Sequence, residues 1–244
     1  MPSRTISFGK CFLCGETLAK NAVNRHLEKC IPLHGSSGPG KRETLFHLLV
    51  EGRDDPRYWL HLEIPASATL ADLDTFLRAI WLECCGHLSA FEIGGRRYEV
   101  ATEGADFSFY DSPPKSMKSA RLQRTLAIGD IFTHEYDFGT TTELKLKVVG
   151  AREGFIENAK FKVNLLTRNY AFIYYCNRCG SPAEYLYVFE YPYVPYCDDH
   201  ANEKEDGEEG LMPIVNSPRV GECGYTGPYD ETLQFEESMP AKDS

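Results

Sequence analysis

Ile131-Phe132-Thr133-His134-Glu135-Tyr136-Asp137-Phe138-Gly139, followed at once by Thr142-Glu143-Leu144-Lys145-Leu146-Lys147-Val148-Val149, decides the fold class of this chain. Both runs alternate with a period of two, the spacing of a strand, and the short polar gap between them predicts an antiparallel hairpin. In the second run Leu144, Leu146 and Val148 share one face, while Glu143, Lys145 and Lys147 share the other. That pattern predicts a sheet with one dry and one wet face.

Upstream, Leu45 to Val50 reads as a strand, Asp54-Asp55-Pro56 as a turn, and Arg57 to Ile64 as a strand with Tyr58, Leu60, Leu62 and Ile64 on one face. Pro65 closes it. Thr69 and Asp72 form a capping box, which opens a helix to about Cys85. Leu70, Leu73, Phe76, Leu77, Ile80, Trp81 and Cys84 lie on its buried side, and the Cys84-Cys85 pair reads as packing. His87 to Ile93 and Arg96 to Val100 are strands around a Gly94-Gly95 turn. Residues 101–118 read as loop, Ser119 to Ile128 as a short helix, and 160–175 as further strand. The expectation is an α+β domain over residues 43–172, an antiparallel sheet with a packed helix.

Two cysteine constellations flank that domain. Residues 1–31 contain Cys11-x2-Cys14-x11-His26-x3-Cys30, a knuckle followed by two ligands one helical turn apart. This is the donor set of a closed tetrahedral zinc site. Asn21 to Cys30 reads as its helix, with Asn21 as cap, Val23, His26, Leu27 and Cys30 on one face, and Asn24, Arg25, Glu28 and Lys29 outside. So short a segment cannot bury a core, so the metal supplies its folding energy. Residues 32–42 read as a flexible linker; Gly35-x4-Gly40-Lys41 imitates a phosphate loop but continues with Arg42 where Ser or Thr must hold magnesium.

The second constellation, Cys176-x2-Cys179 and Cys197-x2-His200, predicts a zinc-ribbon-like segment over 173–234, its tail packed on the body, with a frayed end at 235–244. Asp198 and Asp199 read as surface residues and Cys223 as packed. The cofactor expectation is two structural zinc ions. Protein donors fill all four positions at each, which leaves no place for metal-bound water and disfavours Lewis-acid catalysis.

The 244 residues carry a net charge of −10 and nine cysteines. Residues 1–42 hold seven Lys or Arg against two Glu, a net +5, which leaves −15 for the remainder. The first ten residues hold no apolar h-region, and no apolar run approaches the ~18 residues that span a bilayer. The expectation is a soluble cytoplasmic protein without a membrane role, whose cysteines bind metal rather than pair.

The finger residues Cys11-Phe12-Leu13-Cys14-Gly15 and His26-Leu27-Glu28-Lys29-Cys30 resemble the small C2HC fingers that bind ubiquitin in DNA-repair proteins. The resemblance implies a protein contact through Glu28, while Arg25 and Lys29 equally suit nucleic acid. Farther on, Phe46-His47-Leu48, Tyr58-Trp59-Leu60-His61-Leu62-Glu63-Ile64, Thr69-Leu70-x-x-Leu73, Gly86-His87-Leu88-x-x-Phe91-x-Ile93 and Tyr136-Asp137-Phe138-Gly139 resemble, in order, the plasmid pRiA4b ORF-3-like proteins. That resemblance implies an α+β fold and no established activity, although some members carry a resolvase-like label. Many members continue the last motif with Asp, Trp and His; here Thr140, Thr141 and Thr142 follow.

Two functional readings remain. The first is a zinc-dependent adaptor that grips nucleic acid or protein through Arg25, Glu28 and Lys29, with no catalytic residue; the sequence does not give its oligomeric state. The second is a hydrolase or nuclease-like enzyme near Tyr136–Gly139, with His87, His134 and Asp137 as the candidate functional cluster and Glu135 and Asp111 beside it. A regular strand sets His134 and Asp137 on opposite faces, so the balance falls against an enzyme. A thiol oxidoreductase ranks third.

Overall fold

The computed structural model describes residues 7–34, 41–100, 113–157, 160–204 and 207–240. The chain divides into two compact bodies, one of Met1–Arg78 with His87–Asn169, the other of Ala79–Gly86 with Tyr170–Ser244. Asp111 and residues 35–40 of the linker lie outside the described residues.

The first body begins with β1 (Phe8–Cys11), β2 (Thr17–Ala19) and α1 (Val23–His34). There follow β3 (Glu43–Gly52), β4 (Trp59–Pro65), α2 (Leu70–Leu77), β5 (Ser89–Ile93), β6 (Arg96–Glu99), β7 (Lys115–Ser116), α3 (Leu122–Thr125), β8 (Ile131–Tyr136), β9 (Thr142–Gly154) and β10 (Asn164–Asn169). The ten strands make one sheet in the order β2-β1-β10-β4-β3-β9-β8-β5-β6-β7. Every pairing is antiparallel except β6 with β7. The fold class is α+β, as read from the alternation. The β8–β9 hairpin pairs Glu135 with Glu143 and His134 with Leu144.

Alternation sets the two sides of β8. Phe132, His134 and Tyr136 point into the core, and Lys145 and Lys147 of β9 are exposed. The Thr69 hydroxyl accepts the Asp72 amide hydrogen bond, and the Asp72 carboxylate accepts that of Thr69, so the capping box forms as the sequence predicts. From α2, Leu70, Leu73, Phe76 and Leu77 are buried. The helix does not reach Cys85. It widens into a π-turn over Arg78–Leu82, and Gly86, in the left-handed region at φ 78°, takes the chain away with its N–H on the Glu83 carboxylate.

β4 departs from the one-wet-face expectation. All seven of its residues are buried, including Trp59, His61 and Glu63 on the side expected to meet water. The cover comes from the N-terminal segment. β1 pairs with β10 through Gly9↔Asn169, Lys10↔Arg168 and Cys11↔Thr167. Leu18, Val23, Leu27 and Cys30 then pack with Trp59 and Leu166 in one apolar cluster. Gly9 makes this approach possible: a Cβ there would stand 2.3 Å from the Arg168 carbonyl oxygen and 2.7 Å from the Trp59 ring. The residues expected as an appendage therefore extend the sheet by two strands and lay a helix across it.

The second body holds β11 (Tyr185–Tyr187), β12 (Val194–Tyr196), α4 (Asp198–Ala201) and β13 (Leu211–Pro213), its strands forming an antiparallel sheet in the order β12-β11-β13. Its small core gathers Cys176, Tyr187, Tyr196, Cys197 and Ala201.

Candidate metal centres and the polar cleft

The first metal-ligand set grows out of the β1 end. Cys11 closes the strand, and the turn returns through Gly15, at φ 79°, whose N–H binds the Cys11 carbonyl at 2.8 Å. α1 carries His26 and Cys30 one turn apart, toward that knuckle. The Cys11 and Cys30 sulfurs are 3.8 Å apart, and Cys14 Sγ lies 3.5 Å from His26 Nε2. A tetrahedral ion with Zn–S near 2.3 Å and Zn–N near 2.0 Å requires ligand separations of roughly 3.8 Å between sulfurs and roughly 3.6 Å between sulfur and nitrogen. The other ring nitrogen of His26, Nδ1, faces the Glu16 carboxylate at 3.3 Å. A proton held there leaves Nε2 as the donor atom. Burial, with the neighbouring thiols, pushes the Cys30 thiol up to about 12, and burial likewise raises Cys11. Without a cation these sulfurs stay protonated; a bound ion deprotonates them.

The second set is assembled in the same way. The Gly180 N–H binds the Cys176 carbonyl at 2.9 Å, and α4 brings His200 back over Cys197. Cys179 and Cys197 sulfurs are 3.7 Å apart, and His200 Nδ1 lies 3.6 Å from Cys176 Sγ and 3.2 Å from Cys197 Sγ. The donor nitrogen is thus Nδ1 here and Nε2 in the finger. Burial raises the Cys176 thiol, but backbone N–H groups of Cys197, Arg178 and Cys179 outweigh it and bring the thiol down to about 6. Asp198 and Asp199 stay exposed. In each set all four ligand atoms lie within 4.8 Å of one another, so each can hold a metal ion.

The candidate cluster of His87, His134 and Asp137 separates into two pairs. His134 is fully buried on β8, its Nε2 2.7 Å from Asp74 Oδ1, and its ring packs on Phe91 with centroids 4.6 Å apart. Burial raises the Asp74 carboxyl, yet its hydrogen bond to His134 and the attraction between them bring it below its ordinary value. His87 instead faces Asp137, Nε2 to Oδ2 at 3.5 Å, with its ring edge-on to Tyr136. Asp137 sits at φ 65°, and its Oδ1 accepts from the Gly139 and Thr140 N–H groups. Asp137 is therefore chiefly a turn residue, with one oxygen turned to His87.

Two further groups escaped the sequence reading. A cleft of about 190 Å³ in the first body is lined by Leu27, Glu28 and Ile31 of α1, by His47 and Glu63, and by Arg152. Glu63, only 1% exposed, receives both Nε and a terminal nitrogen of Arg152. His47 Nε2 and His61 Nδ1 meet at 2.8 Å. Burial drives both imidazoles down, His47 to about 4. The signal was present: His47, His61 and Glu63 all occupy nominally wet positions on strands that carry the pRiA4b-like motifs. In the second body, Cys84, Cys85 and Cys223 are not packed in a core; Cys85 and Cys223 are exposed, and the three sulfurs converge.

Arg25, Glu28 and Lys29 project from α1 into solvent. No helix among the described residues is long and apolar enough to cross a membrane. No curated protein matches the chain. Among solved structures, a protein of unknown function from Methanosarcina mazei Go1 aligns at 22% identity over 51% of this chain and 68% of its own, with a TM-score of 0.42. Residues 46–160, which run from β3 past the end of β9, match the sequence model of the family described as Plasmid pRiA4b ORF-3-like protein.

Proposed function

We propose that this chain is a zinc-stapled adaptor that recognises a protein partner through the outer side of α1, with structural zinc at Cys11, Cys14, His26 and Cys30 and at Cys176, Cys179, Cys197 and His200. The carrying observation is the position of α1. Val23, Leu27 and Cys30 fix its inner side to Trp59 and Leu166, so Arg25, Glu28 and Lys29 are held rigidly in solvent. Both zinc sites are closed by protein donors, which suits scaffolding rather than hydrolysis.

A protein partner fits this surface better than nucleic acid does. Glu28 stands between the two cations along α1, and Leu33, one turn beyond Lys29, is 78% exposed. Phosphate backbones call for clustered cations without an acid among them, whereas apolar anchors beside mixed charges suit a protein surface. The finger's resemblance makes ubiquitin the first partner to test. Calorimetric titration of the zinc-loaded chain with ubiquitin is expected to give binding that Glu28→Ala weakens about tenfold or more. Binding of a DNA duplex that falls steeply with salt and is abolished by Arg25→Ala with Lys29→Ala, without ubiquitin binding, would replace this reading with the nucleic-acid one.

A further inference from the structure

We propose that Cys84, Cys85 and Cys223 form a third metal site, which takes a zinc-class thiophilic cation through three thiolates. This goes beyond the adaptor reading and stands independently of it.

The first support is distance. Cys84 and Cys85 sulfurs lie 3.3 Å apart, and Cys85 and Cys223 sulfurs 3.7 Å apart; the ligand atoms of the group all fall within 4.8 Å. The second value matches the roughly 3.8 Å edge of a zinc–thiolate tetrahedron and the 3.7 Å of Cys179 to Cys197 in the ribbon. Ordinary packing does not account for it, because Cys85 and Cys223 are exposed and apolar burial has nothing to gain there.

The second support is local backbone. The chain contains four Cys-Gly pairs, Cys14-Gly15, Cys85-Gly86, Cys179-Gly180 and Cys223-Gly224. Their glycines all take left-handed φ values, 79°, 78°, 73° and 67°. Two of the four are the knuckles of the outer metal sets; the other two meet in this cluster. The same turn, which a side chain at the glycine would strain, presents a sulfur in each case. Cys223 itself is held at φ 46°.

The third support is charge. The Arg219 guanidinium is fully buried, and one of its terminal nitrogens points at Cys84 Sγ from 3.5 Å. It is fixed by its own strap: the Ser217 hydroxyl donates to the Trp81 carbonyl at 2.6 Å and accepts the Arg219 N–H at 2.9 Å. When a divalent cation binds, three thiols release three protons and the complex carries one net negative charge, which the guanidinium offsets. The Tyr229 hydroxyl holds the Cys84 carbonyl at 2.8 Å and steadies the adjoining turn.

The test is metal content by mass spectrometry of the full chain, produced with ample zinc and purified under reducing conditions without chelator. The expected result is about three zinc ions per chain, and about two in each of Cys85→Ser and Cys223→Ser. As a second readout, cadmium added to the zinc-loaded protein is expected to yield sulfur-to-metal charge-transfer absorption that both variants lose in part. Two ions in the wild-type chain that Cys223→Ser leaves in place, three retained in either variant, or a Cys85–Cys223 disulfide in place of metal would overturn the proposal. Cys11→Ser separates the readings: if the wild-type count is two, Cys11→Ser leaves it there and Cys223→Ser lowers it, the finger assignment fails and this site stands.

Discussion

Acidification should destabilise the first body through His47, by an amount that can be worked out. His47 has its proton affinity reduced to about 4 in the folded chain, against about 6.5 for an unfolded histidine. The causes are burial first, then the opposing fields of Glu63 and Arg152. His61 moves in the same direction through burial and the proximity of His47 and Lys20. Because the folded value lies below the unfolded one, the unfolded chain binds the extra proton. Stability is therefore highest above about pH 6.5 and falls as the pH drops toward about 4, below which His47 adds no further loss. Between pH ~7.5 and pH ~4.5 the loss from His47 alone is on the order of 2–3 kcal/mol, from a separation of roughly two units. Other groups also protonate in acid, so the measurement must be a difference. Urea unfolding followed by Trp fluorescence, run at both pH values for wild type and His47→Gln, supplies it. The variant should have lost roughly 2–3 kcal/mol of the acid sensitivity while keeping the remainder. Parallel pH dependences in the two proteins would refute the claim that burial holds His47 neutral.

Two other substitutions test the packing around α1. Gly9→Ala should cost roughly 1–3 kcal/mol by overpacking, since its methyl group meets the Arg168 carbonyl and the Trp59 ring; a denaturation midpoint equal to wild type would mean that β1 does not press on the sheet as described. Arg152→Met removes the partner of a carboxylate that is only 1% exposed, and should cost about 3–5 kcal/mol. Adding Glu63→Gln should recover part of that loss, and a double variant no more stable than Arg152→Met would argue that the pair is not coupled.

The local features were legible because their causes are local. Strand alternation exposes β8 and β9, the Thr69–Asp72 box exposes the start of α2, and Cys and His spacing exposes the two flanking sets whose donor atoms converge. What stayed hidden depends on which distant segments meet. His134 reads as a candidate acid–base group until Asp74, sixty positions earlier, is found against it. Cys223 reads as a packed thiol because its cysteine neighbour in space, Cys85, lies 138 positions away. The Arg57–Ile64 run reads as half wet because alternation cannot report a second layer supplied from more than 25 residues upstream.

That second layer alters the meaning of the first metal set. In a tethered finger, the ion would order only its own loop. Here Cys11 is a residue of β1, paired across to Thr167, and Cys30 belongs to the same apolar cluster as Trp59. An ion that joins Cys11 to Cys30 therefore clamps α1 onto the sheet and keeps the cleft wall formed by Leu27, Glu28 and Ile31 in place over His47 and Glu63. The low proton affinity of His47, the dry setting of Glu63 and the fixed outward display of Arg25 and Lys29 then share one physical origin, the seating of that helix. Glu28 belongs both to the outward trio and to the lining of that cleft, so a substitution at this one position touches both.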